Sequence, residues 1–360
     1  MKHRLKWILV LLTLTVSSAS LAGAGFQPGN ILIMNGNILY EYDLDGNLVS
    51  QLTIPPSPEN EVARDVTVLD DGRLAVFNGT FYPELAIYDG NSWQSTSIPG
   101  WSISNNVTYG GITTYNGNII LTDGFTYSGG EAEGLIRVNP DDFSYQRYAE
   151  TTSYIDVVLG HDGLLYALQN TYGDLDVYDP VDFSLLRSVD LGHTSSSRGI
   201  SVNVNGDIFM TSLNGYVAHY NASGELLNTL QIVSYLSDID LDVNGNIILG
   251  ASYSTAFTSD ENLSNFTPIA GDGGNIFVAF VPTIAPPVLN GSHYRQGRLI
   301  RTTLTWTTEA TAVDVYRNDE MIDTVSGMNS ATYNYHKKYS QSYQVCNKGT
   351  ENCSEKYIAN

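Results

Sequence analysis

Basic residues are scarce in most of this sequence. From Gly23 to Pro282 there are 6 arginines and no lysine against 31 aspartates and glutamates, a net charge of −25. A domain this acidic does not attract nucleic acid or an anionic membrane through its overall field. Cationic partners and divalent metal ions fit better, although acidic turns also keep a secreted, tyrosine-rich surface soluble.

Cysteine is also scarce, since only Cys346 and Cys353 occur. Oxidising compartments favour disulfides, and no histidine cluster lies near the pair to complete a metal site. The short spacer therefore predicts one local disulfide. Because that bridge closes a short loop, it stabilises only its own domain.

Familiar catalytic motifs are absent from the sequence. It contains neither a Gly-x-Ser-x-Gly elbow nor a His-Glu-x-x-His helix. Of its six histidines, only His193 falls in a long loop of the repeat described below.

The one long apolar stretch lies at the start of the chain. Met1 to Lys6 is basic, Trp7 to Val16 is apolar, and small residues up to Ala24 offer a cleavage site. This order is typical of a secretory signal peptide, which we predict over residues 1–24. We therefore expect a secreted protein, extracellular or periplasmic, with no membrane span.

Asn-Gly and Asp-Gly pairs recur at a regular spacing along the chain. Each separates two β-rich runs, which is a strong hairpin signal. Successive turn glycines lie 43, 45, 46, 43 and 39 residues apart, a period that suits the four strands of a β-propeller blade. The turns, counted from Pro28-Gly29, are Asp71-Gly72, Asn116-Gly117, Asp162-Gly163, Asn205-Gly206 and Asn244-Gly245.

The first of these six units, which begins at Gly29, lacks its first strand. Asn275 to Val281 is an apolar, strand-like run that no further repeat follows. If this run supplies the missing strand, the ends of the array share one sheet and the ring is closed. The predicted fold is therefore all-β: a six-bladed β-propeller over residues 25–282, closed by a C-terminal strand.

Two segments carry a family resemblance. Asp65 to Val76 and Arg198 to Phe209 resemble the strand-turn-strand core of NHL and gluconolactonase-like propellers. The resemblance covers all six units and implies the fold, but such propellers host many unrelated activities. Gluconolactonase-like enzymes hold a metal in the channel with carboxylates and amides, and peptide-amidating lyases of similar fold need a zinc held by histidines.

A linker at residues 283–287, with two adjacent prolines, is predicted to end the propeller because prolines cannot continue a sheet ladder. Short alternating strands follow over residues 288–360, which predicts a small C-terminal β-sandwich. This segment resembles a fibronectin type III module, with Trp306 and Tyr316 as core aromatics. The resemblance implies a spacer or attachment role, with the cysteine pair where the last strands turn.

The longer connections of a propeller meet at one face, around the mouth of its channel. Aromatic rings beside acids and amides at such a mouth are suited to binding a glycan or peptide. The alternative is that these rings pack between blades or cover blade edges. The predicted ligand-binding residues on this long-loop face are Trp101, Tyr109, Tyr127, Tyr154, Tyr172 and His193.

Three aspartates occupy equivalent positions at the starts of innermost strands. Counting back from the turn glycines matches Asp65, Asp156 and Asp238, with Gly110 and Gly199 at the corresponding sites between them. Three carboxylates near one axis repel one another unless a cation or hydrogen-bond donors lie between them. We predict a calcium site there, because calcium prefers several oxygen ligands. The alternative is that each acid accepts backbone N–H bonds from the neighbouring blade.

Two functions remain open at this point. The preferred one is an exported, non-catalytic binding or adhesion protein, a monomer that recognises an extracellular glycan or protein and binds no nucleic acid. The alternative is a calcium-dependent lyase or hydrolase acting on an extracellular sugar or lactone, with His193 or Tyr109 as general base.

Overall fold

The computed structural model describes residues 25–55, 63–78, 84–97, 110–122, 134–169, 173–192, 196–233, 235–252, 255–269, 274–283, 288–297, 299–308, 312–326, 328–336, 340–347 and 353–359. Strands are the only regular elements within these ranges, so the protein is all-β there. The predicted signal peptide and most of the predicted linker lie outside them.

The first twelve strands run from Ile31 to Leu159. They are β1 (Ile31–Asn35), β2 (Ile38–Tyr42), β3 (Leu48–Thr53), β4 (Ala63–Val68), β5 (Leu74–Asn78), β6 (Glu84–Tyr88), β7 (Trp93–Ser97), β8 (Ile112–Tyr115), β9 (Asn118–Thr122), β10 (Leu135–Val138), β11 (Tyr145–Tyr148) and β12 (Tyr154–Leu159).

The next twelve strands run from Leu165 to Phe280. They are β13 (Leu165–Gln169), β14 (Leu175–Tyr178), β15 (Leu185–Val189), β16 (Ser197–Val202), β17 (Ile208–Ser212), β18 (Tyr216–Tyr220), β19 (Leu226–Gln231), β20 (Leu236–Leu241), β21 (Asn246–Ala251), β22 (Phe257–Asp260), β23 (Thr267–Pro268) and β24 (Ile276–Phe280).

These strands form six antiparallel sheets of four strands each. The first sheet has the order β24-β1-β2-β3, and the others take consecutive strands: β4 to β7, β8 to β11, β12 to β15, β16 to β19 and β20 to β23. The innermost strands contact one another in the cyclic order β4, β8, β12, β16, β20, β24 and back to β4. This arrangement is a β-propeller, and the innermost strands surround its axis.

The ring closes through the pairing of β24 with β1. Ile31 lies opposite Phe280 and Asn35 opposite Ile276, and the Gly29 amide donates to the Val281 carbonyl at 2.9 Å. The predicted pairing of the run 275–281 with the first unit is therefore confirmed. Sheet six adds side-chain ties, since Ser237 Oγ donates to the Ile276 carbonyl.

Burial follows the position of each strand in its sheet. The strands after the tight turns are almost wholly buried, because neighbouring sheets cover both of their faces. The fourth strands are the edges: β15 exposes Leu185 and Leu186, and every residue of β19 is exposed. The apolar core consists of clusters between adjacent sheets, such as Phe77 of β5 with Ile112 of β8.

The C-terminal segment forms two further sheets. Its strands are β25 (Val288–Gln296), β26 (Leu299–Thr307), β27 (Ala312–Arg317), β28 (Glu320–Ser326), β29 (Ser330–His336), β30 (Gln341–Asn347) and β31 (Tyr357–Ala359). One sheet has the order β25-β26-β29 and the other β28-β27-β30-β31. They share one core, in which Trp306 of β26 is buried with Val315 of β27 and Tyr343 of β30. Tyr316, the other predicted core aromatic, is only half-buried at the edge of this core.

The predicted disulfide is present between Cys346 and Cys353, whose Cα atoms are 3.9 Å apart. It joins the end of β30 to the segment before β31, entirely within the C-terminal sheets. Across the residues that the structure describes, no helix has the length and apolar character needed to cross a membrane.

Closure of the ring predicts a difference between two truncated chains. A chain that ends at Thr283 keeps β24, whereas one that ends at Gly273 leaves β1 with an unpaired edge and opens the contacts of β24 with β4 and β20. We expect the shorter chain to unfold at a lower temperature and with lower cooperativity across all six sheets. Differential scanning calorimetry of the two chains measures this, and identical propeller transitions would contradict the closure argument.

Candidate functional site

The three axial aspartates take the same place in alternate sheets. Asp65, Asp156 and Asp238 each follow a β-bulge near the start of β4, β12 and β20, where the pairing register shifts by one residue. A bulge changes the direction of the next side chain, and here that side chain is an aspartate. All three are buried, with 7–8% of their surface exposed.

Each of these carboxylates joins two neighbouring sheets. Oδ1 accepts from the next amide of its own strand, at 2.7 Å for Asp65 and 2.8 Å for the other two. Oδ2 accepts from the innermost strand of the following sheet: from Ile112 at 2.8 Å, Ile200 at 2.7 Å and Val278 at 2.8 Å, respectively. The acids therefore tie sheet two to three, four to five and six to one.

Two of the three sheets that lack an axial aspartate carry a glycine where the aspartate of the next sheet needs room. Gly111 and Gly199 stand at the matching positions, and a Cβ on Gly111 would lie 2.1 Å from Asp156 Oδ1 and 2.4 Å from the Val157 amide. The spacing of the turns in the sequence predicted Gly110 at this position of the third sheet. The structure places the next residue, Gly111, there. The difference arises because the hairpin of β8 and β9 is one residue shorter than its equivalents, with Tyr115 paired to Asn118 across a two-residue turn.

Burial dominates the electrostatics of this ring. It raises the pKa of Asp65 well above its usual value, and the charges of Asp238 and Asp156 raise it further. Burial also raises the pKa of Asp238, with a further contribution from Asp156. For Asp156, burial outweighs the two backbone hydrogen bonds and raises the pKa to about 7, with Asp240 adding repulsion.

A metal in this ring would have to share oxygens that already accept backbone N–H groups. Within the described ranges, no group of three or more histidine, cysteine, aspartate or glutamate side chains is gathered as a metal site requires. The hydrogen bonds match the alternative stated for these acids, that of a tie between blades. Calcium binding by Asp65, Asp156 and Asp238 remains a prediction.

A wide cavity lies on one side of the acidic ring. It has a volume of about 740 Å³ and extends from the three aspartates to the tight turns, where Asn116, Gly163 and Val204 line it. Its wall includes Asp240, which sequence analysis missed although it lies two residues after Asp238 and so faces the same side of β20. Asp240 Oδ2 accepts from the Phe280 amide at 2.7 Å, a second tie to β24.

Two more side chains near the ring were not singled out from the sequence. His161 lies in a tight turn on the cavity wall, and its Nε2 lies 2.8 Å from the Leu241 carbonyl, which can only accept a hydrogen bond. Arg198 lies on the opposite side of the ring, where it lines a small space of about 10 Å³ together with Asp65 and Asp156.

The predicted ligand-binding aromatics lie mostly beyond the described residues. Trp101, Tyr109, Tyr127, Tyr172 and His193 fall outside those ranges, as do both candidate general bases. Tyr154 lies within them and is fully buried, with its hydroxyl 2.8 Å from Asp176 Oδ2 and 2.6 Å from the Tyr178 hydroxyl. A ring with no exposed face cannot stack on a ligand at the surface, so Tyr154 is a packing residue here.

No protein-family model matches the sequence, and the search of curated proteins found no match. The similar solved structures are β-propeller proteins. Virginiamycin B lyase from Staphylococcus aureus is 14% identical, with 74% of this chain and 84% of that chain covered and a TM-score of 0.48. A protein of unknown function from Bacteroides caccae is 11% identical (70% and 99% covered, TM-score 0.49), and the Dos1 propeller is 12% identical (85% and 76%, TM-score 0.44). At these identities the likeness concerns the fold alone.

The raised pKa values predict how stability depends on pH. A buried acid whose pKa is raised by folding contributes stability below its unfolded pKa of about 3.9, and loses it as the pH rises through the folded value. For Asp156 that loss is complete above about pH 7. We therefore expect the propeller to melt at a higher temperature at pH 5 than at pH 8.

Charge-matched variants can assign this slope to the ring. Asp156→Asn should flatten the pH dependence of the melting temperature, although Asp65, Asp238, Asp240 and Arg198 remain beside it. Asp142→Asn is the control, because Asp142 lies in an exposed outer turn where hydrogen bonds from Ser144 lower its pKa, so it titrates below this range. Equal slopes in the two variants would show that the ring is not the cause.

Proposed function

We propose that this chain is an exported, non-catalytic binding protein. In this proposal a six-bladed propeller, NHL-like and closed by its C-terminal strand, holds an extracellular ligand. A fibronectin type III-like sandwich over residues 288–360 spaces or attaches it, and the protein acts as a monomer.

The proposal is supported chiefly by the hydrogen bonds that the axial aspartates accept. Both oxygens of Asp65, Asp156 and Asp238 accept backbone amides, one from the same strand and one from the next sheet. Carboxylates that hold a ring together are poorly placed to change partners during a reaction, since each change would leave a buried N–H without an acceptor. Their geometry favours a scaffold for binding over a catalytic centre.

Recognition of a glycan or peptide is assigned to the long-loop face. Trp101, Tyr109, Tyr127, Tyr172 and His193 combine flat apolar faces with polar groups in the loops expected there. This part of the proposal depends on the sequence pattern. The disulfide in the C-terminal sheets agrees with an oxidising compartment and hence with export.

Glycan and peptide arrays test the proposal. We expect a ligand that Trp101→Ala or Tyr127→Ala binds at least about tenfold more weakly, because aromatic anchors carry much of the energy of such sites. Tyr145→Ala is the control, since Tyr145 is an exposed tyrosine on the outer strand β11. Mass spectrometry of the bound ligand should find it unchanged, and conversion to a product would overturn the non-catalytic assignment.

Calcium separates this proposal from the metal-dependent lyase or hydrolase. A cation that binds only the folded state stabilises it by about 2.7 kcal/mol at a hundredfold excess over its Kd. Because the acids in the described part of the chain are not gathered in a group of three or more as a metal site requires, we expect millimolar calcium to leave the melting temperature of the propeller unchanged. A rise that Asp156→Asn abolishes would favour the enzymatic alternative.

A further inference from the structure

The three-stranded sheet of the C-terminal segment differs in charge from the rest of the chain. Its strands β25, β26 and β29, of 9, 9 and 7 residues, contain no aspartate or glutamate, although the chain has 38 acidic residues against 17 lysines and arginines. They contain two arginines, Arg295 and Arg301. The acids of the C-terminal strands, Asp314, Glu320 and Asp323, lie in the other sheet. This sheet is therefore a basic region in an acidic protein.

One face of this sheet is open to solvent and consists mainly of polar side chains. Ile300, Leu304 and Trp306 of β26 face the core, and the alternate residues of the strand face outward. The outward side chains form rows in register across the three strands, which lie about 4.8 Å apart. Short hydroxyl and amide side chains make up most of these rows: Asn290, Ser292, Thr303, Thr305, Ser330 and Thr332.

One row of this outer face combines an aromatic ring, a positive charge and an amide. Tyr294 of β25 and Asn334 of β29 pair with Arg301 of β26 from its two sides, and all three residues are exposed. The guanidinium of Arg301 has no hydrogen bond or ion pair with another described residue, whereas that of Arg73 contacts two aspartates. A guanidinium binds a carboxylate through two parallel hydrogen bonds, and an aromatic face stacks on a sugar ring.

The apolar residues of this outer face lie at its two ends. Val288 pairs with Thr307 at one end, and Leu299 lies at the other end, one row beyond Arg301. A protein interface usually has an apolar, fully buried centre, which this face does not have. Hydroxyl groups both donate and accept hydrogen bonds, so the rows suit a partner that presents many hydroxyls of its own. Because the sheet has arginines and no acid, a negatively charged partner complements it.

We propose that this face binds an acidic polysaccharide whose sugars carry carboxylate groups. Arg301 binds a carboxylate, Tyr294 stacks on the sugar ring beside it, and the hydroxyl and amide rows bind sugar hydroxyls further along the polymer. The inference rests on the attachment role that the proposed function gives to the C-terminal sandwich, and it names the chemical class to which the sandwich attaches. It does not depend on what the propeller binds.

Isothermal titration calorimetry of the purified full chain with oligosaccharides of galacturonate, mannuronate and glucuronate tests the proposal. We expect at least one of them to bind, and its methyl ester, which has the same sugars without the charge, to bind at least about tenfold more weakly. Arg301→Gln should cause a similar loss. Tyr294→Ala should weaken binding about threefold to tenfold through the lost stacking. Both side chains are exposed, so both variants should keep the native melting temperature.

Arg295→Gln is the matched control, because Arg295 pairs with the buried Ile300 and so belongs to the other face of the same sheet. Equal weakening by Arg295→Gln and Arg301→Gln would mean attraction by net charge alone and would overturn the proposal. So would binding of none of the three oligosaccharides, or equal binding of single-stranded DNA through Arg301.

The propeller site and this face can be told apart with two variants. If Trp101→Ala abolishes binding of the acidic sugar and Arg301→Gln does not, the sugar binds the propeller and this inference fails while the proposed function stands. An array ligand lost in Trp101→Ala and kept in Arg301→Gln supports the propeller site whatever the outcome for the C-terminal face.

Discussion

The fold depends on buried carboxylates that accept amides from a neighbouring sheet. Apolar packing holds adjacent sheets together, but it does not fix how far one innermost strand slides along the next. A hydrogen bond from Ile112, Ile200 or Val278 to an axial aspartate fixes that position. The ties concentrate where the chain closes on itself, since Ser237, Asp238 and Asp240 all bind the backbone of β24. The last strand is therefore held to its neighbour by three side-chain hydrogen bonds in the described part of the chain.

These ties have an electrostatic cost, because each of them buries a carboxyl group away from water. Burial raises the pKa values of Asp65, Asp156, Asp238 and Asp240, so the folded protein releases these protons less readily than carboxyl groups in water do. Proteins tolerate such local conflicts most often at functional sites.

Much of this arrangement could be predicted from the sequence, for reasons that are local. Asn-Gly and Asp-Gly turns impose hairpins on the chain, so their spacing predicted the strands and the closing role of the run 275–281. Asp65, Asp156 and Asp238 were found by counting back from those turns. The same count failed at Gly111, because one hairpin is shorter by a residue. Asp240 could have been found from the sequence, because alternate residues of β20 face the same side. The burial of Tyr154 could not, because its hydroxyl partners Asp176 and Tyr178 are far from it in the sequence and no local pattern connects them.

The geometry of the closing pair also determines how the molecule carries force. Gly25 and Thr283 lie at the same end of the β1–β24 pair, because the strands are antiparallel and Ile31 lies opposite Phe280. A load applied between these points would open the ladder one hydrogen bond at a time, beginning at the bond between Gly29 and Val281. If the C-terminal sheets anchor the protein, tension on that anchor reaches β24 first. The side-chain hydrogen bonds from sheet six to β24 then resist the opening of the ring.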